Sequence, residues 1–399
     1  MGPRPSQSPD LPYPPLDHDR DGLTDRAAED SPPPSRLYPH PLRMAEPRPE
    51  PKRLYIALFV VTALTTTATG AGAYAAFLAD FGRVTVNLSA WQLLVNAFWY
   101  SASILAILGA HEFGHYFACR YYGVNASLPY FLPLPPAPWI FAIGTGTAGA
   151  VIRIREPITT KRALFDIGIA GPIAGFLVAV PLLVIGVHLS TVVPLPPRMI
   201  GFNLGEPLLF KAARWLTFGP IPAGSDVNLH PMAFAAWFGL FATALNLFPI
   251  GQLDGGHISY AVLGGRISTG ITVVTVGCLL ALTVFVSWSW LLWTVLTTAM
   301  LFIFGPRHPR TLDEHEPIDR GRLGLAVFAL IMFIVCFTPA PIELMNIVGP
   351  RPRPRGSLQA ESATPHISPA LPVDLDVRGP AYAPQKPDDS VPRRQQRPN

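Results

Sequence analysis

The sequence predicts an all-α polytopic membrane protein of about seven transmembrane helices, with one short β-hairpin or re-entrant loop. Of the 399 residues, 49% are hydrophobic and only 14% are charged, whereas a soluble domain carries about 25% charged residues. The apolar residues form long runs, and about 20 apolar residues carry a helix across the hydrocarbon core of a bilayer. One internal segment instead combines β-forming residues with closely spaced glycines. These three observations predict the fold class.

Seven apolar runs are candidate spans. The fourth and the seventh are short, and a half-length segment at 257–263 is expected to enter the bilayer without crossing it. The candidate spans are 54–78, 91–119, 164–189, 232–247, 271–286, 288–304 and 323–337.

Residues 54–338 are therefore expected to form one membrane domain, with disordered tails at 1–53 and 339–399. Both tails are rich in proline, and the second also carries clustered arginines. A segment of this composition buries too little apolar surface to fold. The lipid bilayer is thus the first expected partner. Nucleic acid is not expected, because the arginines do not share an amphipathic face with aromatic residues.

Basic residues predict that the amino terminus is cytoplasmic. Lysine and arginine near the ends of spans are retained on the cytoplasmic side, and here they are concentrated in every other loop. We expect the protein to be a multi-pass protein of a bacterial inner membrane. The basic residues that set this orientation are Arg43, Arg48, Lys52, Arg53, Arg120, Arg153, Arg155, Lys161, Arg162, Arg307, Arg310, Arg320 and Arg322.

One group of ionisable residues interrupts the second span. It reads His111-Glu112-Phe-Gly-His115 within an otherwise apolar run. Residues four apart lie on one face of a helix, so the two histidines can bind one metal ion. Glu112 is then placed to act on water at that ion. Such groups are costly at membrane depth and therefore functional by default. The alternative is a His-Glu-His group satisfied by neighbouring helices.

The best candidate for a third metal ligand is Asp254. A catalytic zinc usually takes three protein ligands, and Asp254 lies in the run 246–257, NLFPIGQLDGGH. The proline and glycines of this run interrupt helical structure, and the orientation above puts it at the same membrane face as His111. Taken alone, an Asp-Gly pair after a proline is more often a turn. His257 is expected to support the site without binding the metal.

The β-forming segment at 139–154 predicts a hairpin or re-entrant loop beside this site. Glycines at 144, 146 and 149 separate its two ends, and the strand edge could pair with an extended substrate. An ordinary hairpin without that role is the alternative. Farther along, Gly171 and Gly175 are expected to let two helices approach closely.

At this point the motifs resemble those of the site-2 protease family of intramembrane zinc metalloproteases. The resemblance is carried by HEFGH on a membrane helix and by NLFPIGQLDGGH in the later segment. The stretch 141–176 is similar, more narrowly, to the bacterial and chloroplast subgroup that includes the ethylene-dependent gravitropism-deficient and yellow-green proteins. The resemblance covers about residues 91–265.

This resemblance implies zinc (Zn²⁺) ligation by His111, His115 and Asp254, with Glu112 as the catalytic carboxylate. It also implies that Asn246 helps to position substrate. The expected function is a zinc metalloendopeptidase that cleaves transmembrane segments of membrane-tethered proteins in regulated intramembrane proteolysis. The sequence leaves the individual substrate and the oligomeric state open.

Two other functions remain as alternatives. A divalent-metal transporter or metal-sensing membrane protein would use the same three ligands without hydrolysis. A transport path needs ion-relaying residues in several spans, and the last three candidate spans contain no acidic residue. A catalytically inactive scaffold is the other alternative, and it would not need Glu112.

Overall fold

Helices account for most of the residues that the structure describes. The computed structural model describes residues 51–135, 144–196, 198–305 and 308–348. Within this described part, the helices are α1 (Lys52–Leu78), α2 (Ala90–Tyr121), α3 (Lys161–His188), α4 (Leu208–Phe218), α5 (Pro231–Asn246), α6 (Asp254–Leu263), α7 (Gly265–Phe285), α8 (Leu291–Phe304) and α9 (Arg320–Cys336).

Short strands pair two by two between the helices. The sheets are β1 with β2, β3 with β5, and β4 with β6, and the first two pairs are antiparallel. The strands are β1 (Tyr130–Pro133), β2 (Thr147–Val151), β3 (Thr191–Pro194), β4 (Arg198–Leu204), β5 (Ser225–Asn228) and β6 (Ile342–Val348).

Four of the described helices are long and apolar enough to cross a bilayer, namely α1, α2, α3 and α7. The predicted count of seven crossings is not confirmed. The apolar helix α5 has 16 residues, which at 1.5 Å per residue rise only about 24 Å, less than the hydrocarbon thickness of about 30 Å. The ten-residue α6 is also too short to cross, in agreement with the half-length segment predicted there.

The core of the helical bundle forms around α5. Almost all of α5 is buried, and Trp237 and Leu240 are completely enclosed. They belong to one apolar cluster with Ile107 of α2 and Leu183 of α3. A helix that is apolar on every side belongs in the interior of a protein, so α5 is apolar because it is central.

Helices α2 and α3 approach each other closely, and glycines line their contact. A Cβ atom at Gly114 would come within 2.9 Å of the carbonyl carbon of Ala170. One at Gly171 would overlap the His115 imidazole, and one at Gly175 would lie 3.1 Å from the His111 Cβ. The close approach predicted at Gly171 and Gly175 is therefore present.

The hairpin β1–β2 lies along α1 and α2 and reaches far toward the middle of both helices. Near its tip, the Thr65 hydroxyl donates to the Gly146 carbonyl at 2.6 Å, and the Tyr100 hydroxyl donates to the Thr145 carbonyl at 3.0 Å. Thr65 is near the midpoint of α1, and Tyr100 is two to three turns into α2. The hairpin is therefore re-entrant in form.

The first strand of this hairpin lies upstream of the predicted one. Tyr130 pairs with Val151, and Pro133 pairs with Thr147, whereas the sequence predicted strand structure from residue 139. Residues 139–143 lie outside the described residues. The run Tyr-Phe-Leu-Pro is short and is followed by prolines, so propensity alone does not identify it as a strand.

A segment after α8 crosses the ends of α3 and α6. We call residues 308–319 the strap. Its backbone joins residue 159 through Leu312 N–H and the Thr159 carbonyl, at 2.9 Å. The buried Lys161 ammonium donates to the carbonyls of Glu314 and Glu316, at 3.3 and 3.0 Å. The strap thus connects α3 with α6.

At the other end of the bundle, residues 190–230 form a cap where the sequence predicted only a long loop. It contains α4 and the strands β3, β4 and β5. At the two ends of the described structure, α1 begins at Lys52, and β6 lies within the segment 339–399. Pairing with β4 supplies the long-range contacts that local composition does not reveal. The rest of both tails lies outside the described residues.

The Lys161→Met variant should lower the free energy of unfolding by about 1–3 kcal/mol, because two backbone carbonyls lose a charged donor. Reversible unfolding of the detergent-solubilised chain measures this change. Arg162→Met is the matched control: it removes a neighbouring but exposed cation, so the effect should stay within about 0.5 kcal/mol. Equal stability of the two variants would show that Lys161 does not hold the strap.

Candidate metal centre

Three side chains that the sequence singled out come together between α2 and α6. The Nε2 atoms of His111 and His115 are 3.1 Å apart. Each lies 3.3 Å from a different carboxylate oxygen of Asp254. Both histidines are buried, and Asp254 is nearly so. Among the residues that the structure describes, these three form the group of ligand side chains able to hold a metal ion.

The chain reversal between α5 and α6 brings Asp254 to this position. Gly251 adopts a φ of +49°, a conformation that glycine adopts without strain. A Cβ atom at Gly256 would lie 2.8 Å from the Ile250 carbonyl oxygen, so the turn is too tight for a larger residue. Asp254 is then the first residue of α6, where the positive end of the helix dipole stabilises its negative charge.

Hydrogen bonds fix which ring nitrogens face the site. His115 Nδ1 lies 2.7 Å from the Ile167 carbonyl oxygen. A carbonyl only accepts, so Nδ1 carries the proton and Nε2 presents its lone pair. The amide nitrogen of Asn246 lies 3.1 Å from His111 Nε2. An amide nitrogen only donates, so this Nε2 is unprotonated, and a bound metal ion would replace the amide as the partner of its lone pair.

The donor set fits a zinc ion. Two unprotonated nitrogens and a carboxylate face one another in an apolar surrounding, an arrangement that is unfavourable unless a cation lies between them. Tetrahedral ligands at 2.0–2.1 Å from zinc are about 3.3 Å apart. The two Nε2 atoms are 3.1 Å apart, and each has one Asp254 oxygen at 3.3 Å, Oδ2 for His111 and Oδ1 for His115, so the three side chains are near ligand spacing. Two imidazoles and one carboxylate are also a known catalytic zinc set that leaves a fourth position open.

Glu112 lies beside the three ligand side chains, on the side of the hairpin. It is buried, and its carboxylate accepts a hydrogen bond from the backbone N–H of Ile152, which directly follows β2. The same helix turn therefore carries the potential ligands and an acid–base group. The hairpin contact links this group to the strand that the sequence placed beside the site.

A second histidine pair lies next to the centre, and sequence reasoning missed half of it. His257 Nδ1 is 2.7 Å from Nε2 of His308 in the strap, and the His308 ring stacks on Tyr260 at 4.4 Å. His257 packs closely on α3, since a Cβ atom at Gly168 would lie 3.0 Å from its Cβ. Burial lowers the pKa of His308, which favours the neutral ring. No sequence motif marks His308.

Known proteins are similar to the part of the chain that contains these residues. The family model described as peptidase family M50 matches residues 99–285. The relative named "Probable zinc metalloprotease EGY2, chloroplastic" from Oryza sativa subsp. indica is 28% identical over 258 residues, covering 63% of this chain and 44% of the relative. The protein of the same name from Arabidopsis thaliana is 28% identical over 59% of this chain and 40% of its own length.

"Probable zinc metalloprotease EGY1, chloroplastic" from Arabidopsis thaliana is 28% identical over 62% of this chain and 43% of its own length. The chain thus spans less than half the length of the curated relatives described here. The family model and the relatives liken the helical fold and the histidine–carboxylate centre to those of zinc metalloproteases. Residues 99–285, a little under half of the chain, carry this similarity and contain the whole centre.

The Gly171→Ala variant should lose most of its zinc, because the added methyl group would occupy the position of the His115 ring. Metal content of the purified variant, measured by mass spectrometry, tests this. Gly270→Ala is the matched control: it adds the same methyl group to α7, where nothing lies within 4 Å. A Gly171→Ala protein with full zinc content would show that the α2–α3 contact does not set the ligand geometry.

Proposed function

We propose that the protein is an intramembrane zinc endopeptidase that cleaves membrane-spanning segments of membrane-tethered proteins. One observation carries the proposal: two imidazole lone pairs and a carboxylate converge beside a buried glutamate within a bundle of apolar helices. Burying an acidic group at membrane depth costs free energy, so such a group is functional by default. The family match and the printed names of the relatives support the same chemistry.

In this proposal His111, His115 and Asp254 would hold the zinc ion. When bound, the ion supplies a Lewis acid that polarises water and the scissile carbonyl. The Ile167 carbonyl keeps the His115 proton on Nδ1, away from the ion. Asp254 supplies the negative charge that offsets part of the charge of the ion.

Glu112 would be the general base and then the general acid. Its carboxylate takes a proton from the attacking water and passes it to the departing amine. The N–H of Ile152 holds this carboxylate in place. Asn246 has its amide nitrogen 3.1 Å from His111 Nε2, so it lies where it could donate to a substrate carbonyl. This position supports the substrate-positioning role expected for it.

Substrate would have to enter as an extended strand, because a helix keeps its peptide bonds in internal hydrogen bonds. Within the described structure β2 pairs with β1 alone, so its second edge is available to another strand. Val151 of β2 is exposed, and the next residue contacts Glu112. A strand added to this edge would pass beside the acid–base group.

A metal carrier or metal sensor is the competing proposal. It would use the same three ligands but would gain nothing from Glu112. The unfavourable burial of that carboxylate next to the ligands therefore favours hydrolysis.

We further propose a cytoplasmic amino terminus, with the metal centre near the cytoplasmic face of a bacterial inner membrane. Support comes from the basic residues before α1 and between α2 and α3. The named plant relatives are chloroplastic, and the four long apolar helices support a membrane setting in general. Seven crossings would require that α5, α8 and α9 complete their spans with flanking residues.

The deciding experiment measures zinc content and peptide cleavage in one preparation. Wild-type protein in detergent should contain about one zinc ion per chain and cut single-span peptides, and a chelator should stop the reaction. Glu112→Gln should keep its zinc but cleave about 10²–10⁴-fold more slowly. Substantial cleavage by this variant would remove Glu112 from its role. Bound zinc without any wild-type cleavage would favour the carrier or sensor.

A photo-reactive residue at position 151 should capture a bound single-span peptide in the Glu112→Gln background, because substrate would lie against the β2 edge. The same residue placed at exposed position 284 of α7 is the control and should capture little. Covalent adducts are counted after gel separation. Equal capture at both positions would argue against edge pairing.

A further inference from the structure

Helix α4 in the cap has an inward and an outward face of different character. Its inward face packs on α3 and α9 through the buried Phe210 and Ala213. Its outward face is apolar but uncovered: Trp215 is 66% exposed and Leu216 is 77% exposed. Lys211, one turn before Trp215, is also exposed. The outward face thus combines large apolar groups with a cation, a pattern typical of helices that lie in a membrane surface.

Contacts place the cap at the end of the bundle opposite the metal centre. The Asn228 amide donates to the Phe77 carbonyl at the end of α1, at 2.7 Å. The Trp237 indole N–H, in the first half of α5, donates to the Gly205 carbonyl just before α4, also at 2.7 Å. By contrast, the metal centre lies near the end of α2 and the starts of α3 and α6.

Two other exposed tryptophans lie at the same end. Trp91 is 71% exposed at the start of α2. Trp288 is 75% exposed just after α7, and its neighbour Trp290 donates to the Pro339 carbonyl at 2.7 Å. Pro339 lies two residues before Pro341, whose carbonyl accepts the Gly205 N–H. Tryptophans at span ends mark the boundary between acyl chains and head groups.

We infer that α4 is an interfacial helix whose outward face inserts into the lipid bilayer surface on the side remote from the metal centre. Trp215 and Leu216 enter the acyl boundary, and Lys211 contacts lipid phosphates. Phospholipid is the occupant because α4 shares its end of the bundle with two tryptophans that terminate long apolar helices. The inference rests on the proposed function only in taking α1, α2, α3 and α7 as membrane spans.

This placement fixes the depth of the metal centre. His111 lies 20 residues beyond Trp91 on α2, which corresponds to about 30 Å along the helix axis. The hydrocarbon core is also about 30 Å thick. With the tryptophans and α4 at one boundary, the centre lies close to the other boundary, where water can reach it. Cap anchoring and access of water are thereby linked through the length of α2.

The test measures depth in the full chain, reconstituted in nanodiscs of phosphatidylcholine and phosphatidylglycerol. A spin label is attached at Leu216→Cys, and Ala223→Cys in the exposed turn after α4 is the control. The exposed Cys278 is replaced by alanine, and the buried Cys119 and Cys336 are kept. Label 216 should show a several-fold higher ratio of oxygen to nickel-complex collisions than label 223. Equal ratios would overturn the inference.

A second measurement avoids the introduced cysteine. The fluorescence difference between wild type and Trp215→Phe isolates the signal of Trp215. Lipids brominated close to the head groups should quench this signal more than lipids brominated at the chain ends. Absence of quenching by either lipid would overturn the inference, and a partner protein would then be the occupant. Neither measurement uses zinc or peptide cleavage, so failure here leaves the proposed function untouched.

Discussion

The close approach of α2 and α3 is the constraint on which the centre depends. Glycines at 171 and 175 leave room for the two imidazoles, and the Ile167 carbonyl then sets the orientation of one of them. A helix contact with ordinary side chains would keep α3 too far away for that hydrogen bond. The packing of α3 on α2 and the orientation of the histidines therefore depend on the same glycines, which have no side chain.

Two kinds of residue surround the centre: some position the candidate ligands, and others belong to segments that cover the site. Asp254 and Asn246 come from the two sides of one chain reversal, so the Pro-Ile-Gly turn between α5 and α6 positions both. The strap and the hairpin come from distant parts of the sequence and contact the same region. His308 reaches α6, and Ile152 reaches Glu112. The candidate histidine ligands of such a site are buried, and burial strengthens electrostatic interactions.

Local spacing predicted side chains that do come together in the fold, and long-range contacts were predicted poorly. The four-residue separation of His111 and His115 dictates a shared face, and ligand number led to Asp254. Hydropathy predicted apolar segments but could not tell a buried helix such as α5 from a span, since both are uniformly apolar. The strands of the cap are four to seven residues long, and they are defined by partners far away in sequence. His308 left no signal because one histidine in a loop has no periodic pattern.

The depth of the hairpin determines how long an extended segment a substrate needs if it pairs with β2 as proposed. From Thr147 near the tip to Ile152 beside Glu112 there are five residues, or about 17 Å of extended chain. A helical polypeptide that pairs along this edge must unwind by more than one turn before one of its peptide bonds reaches Glu112. If substrate pairs with this edge as proposed, recognition would select for intrinsic helix weakness, such as glycine, proline or β-branched residues, more than for any single residue at the cut.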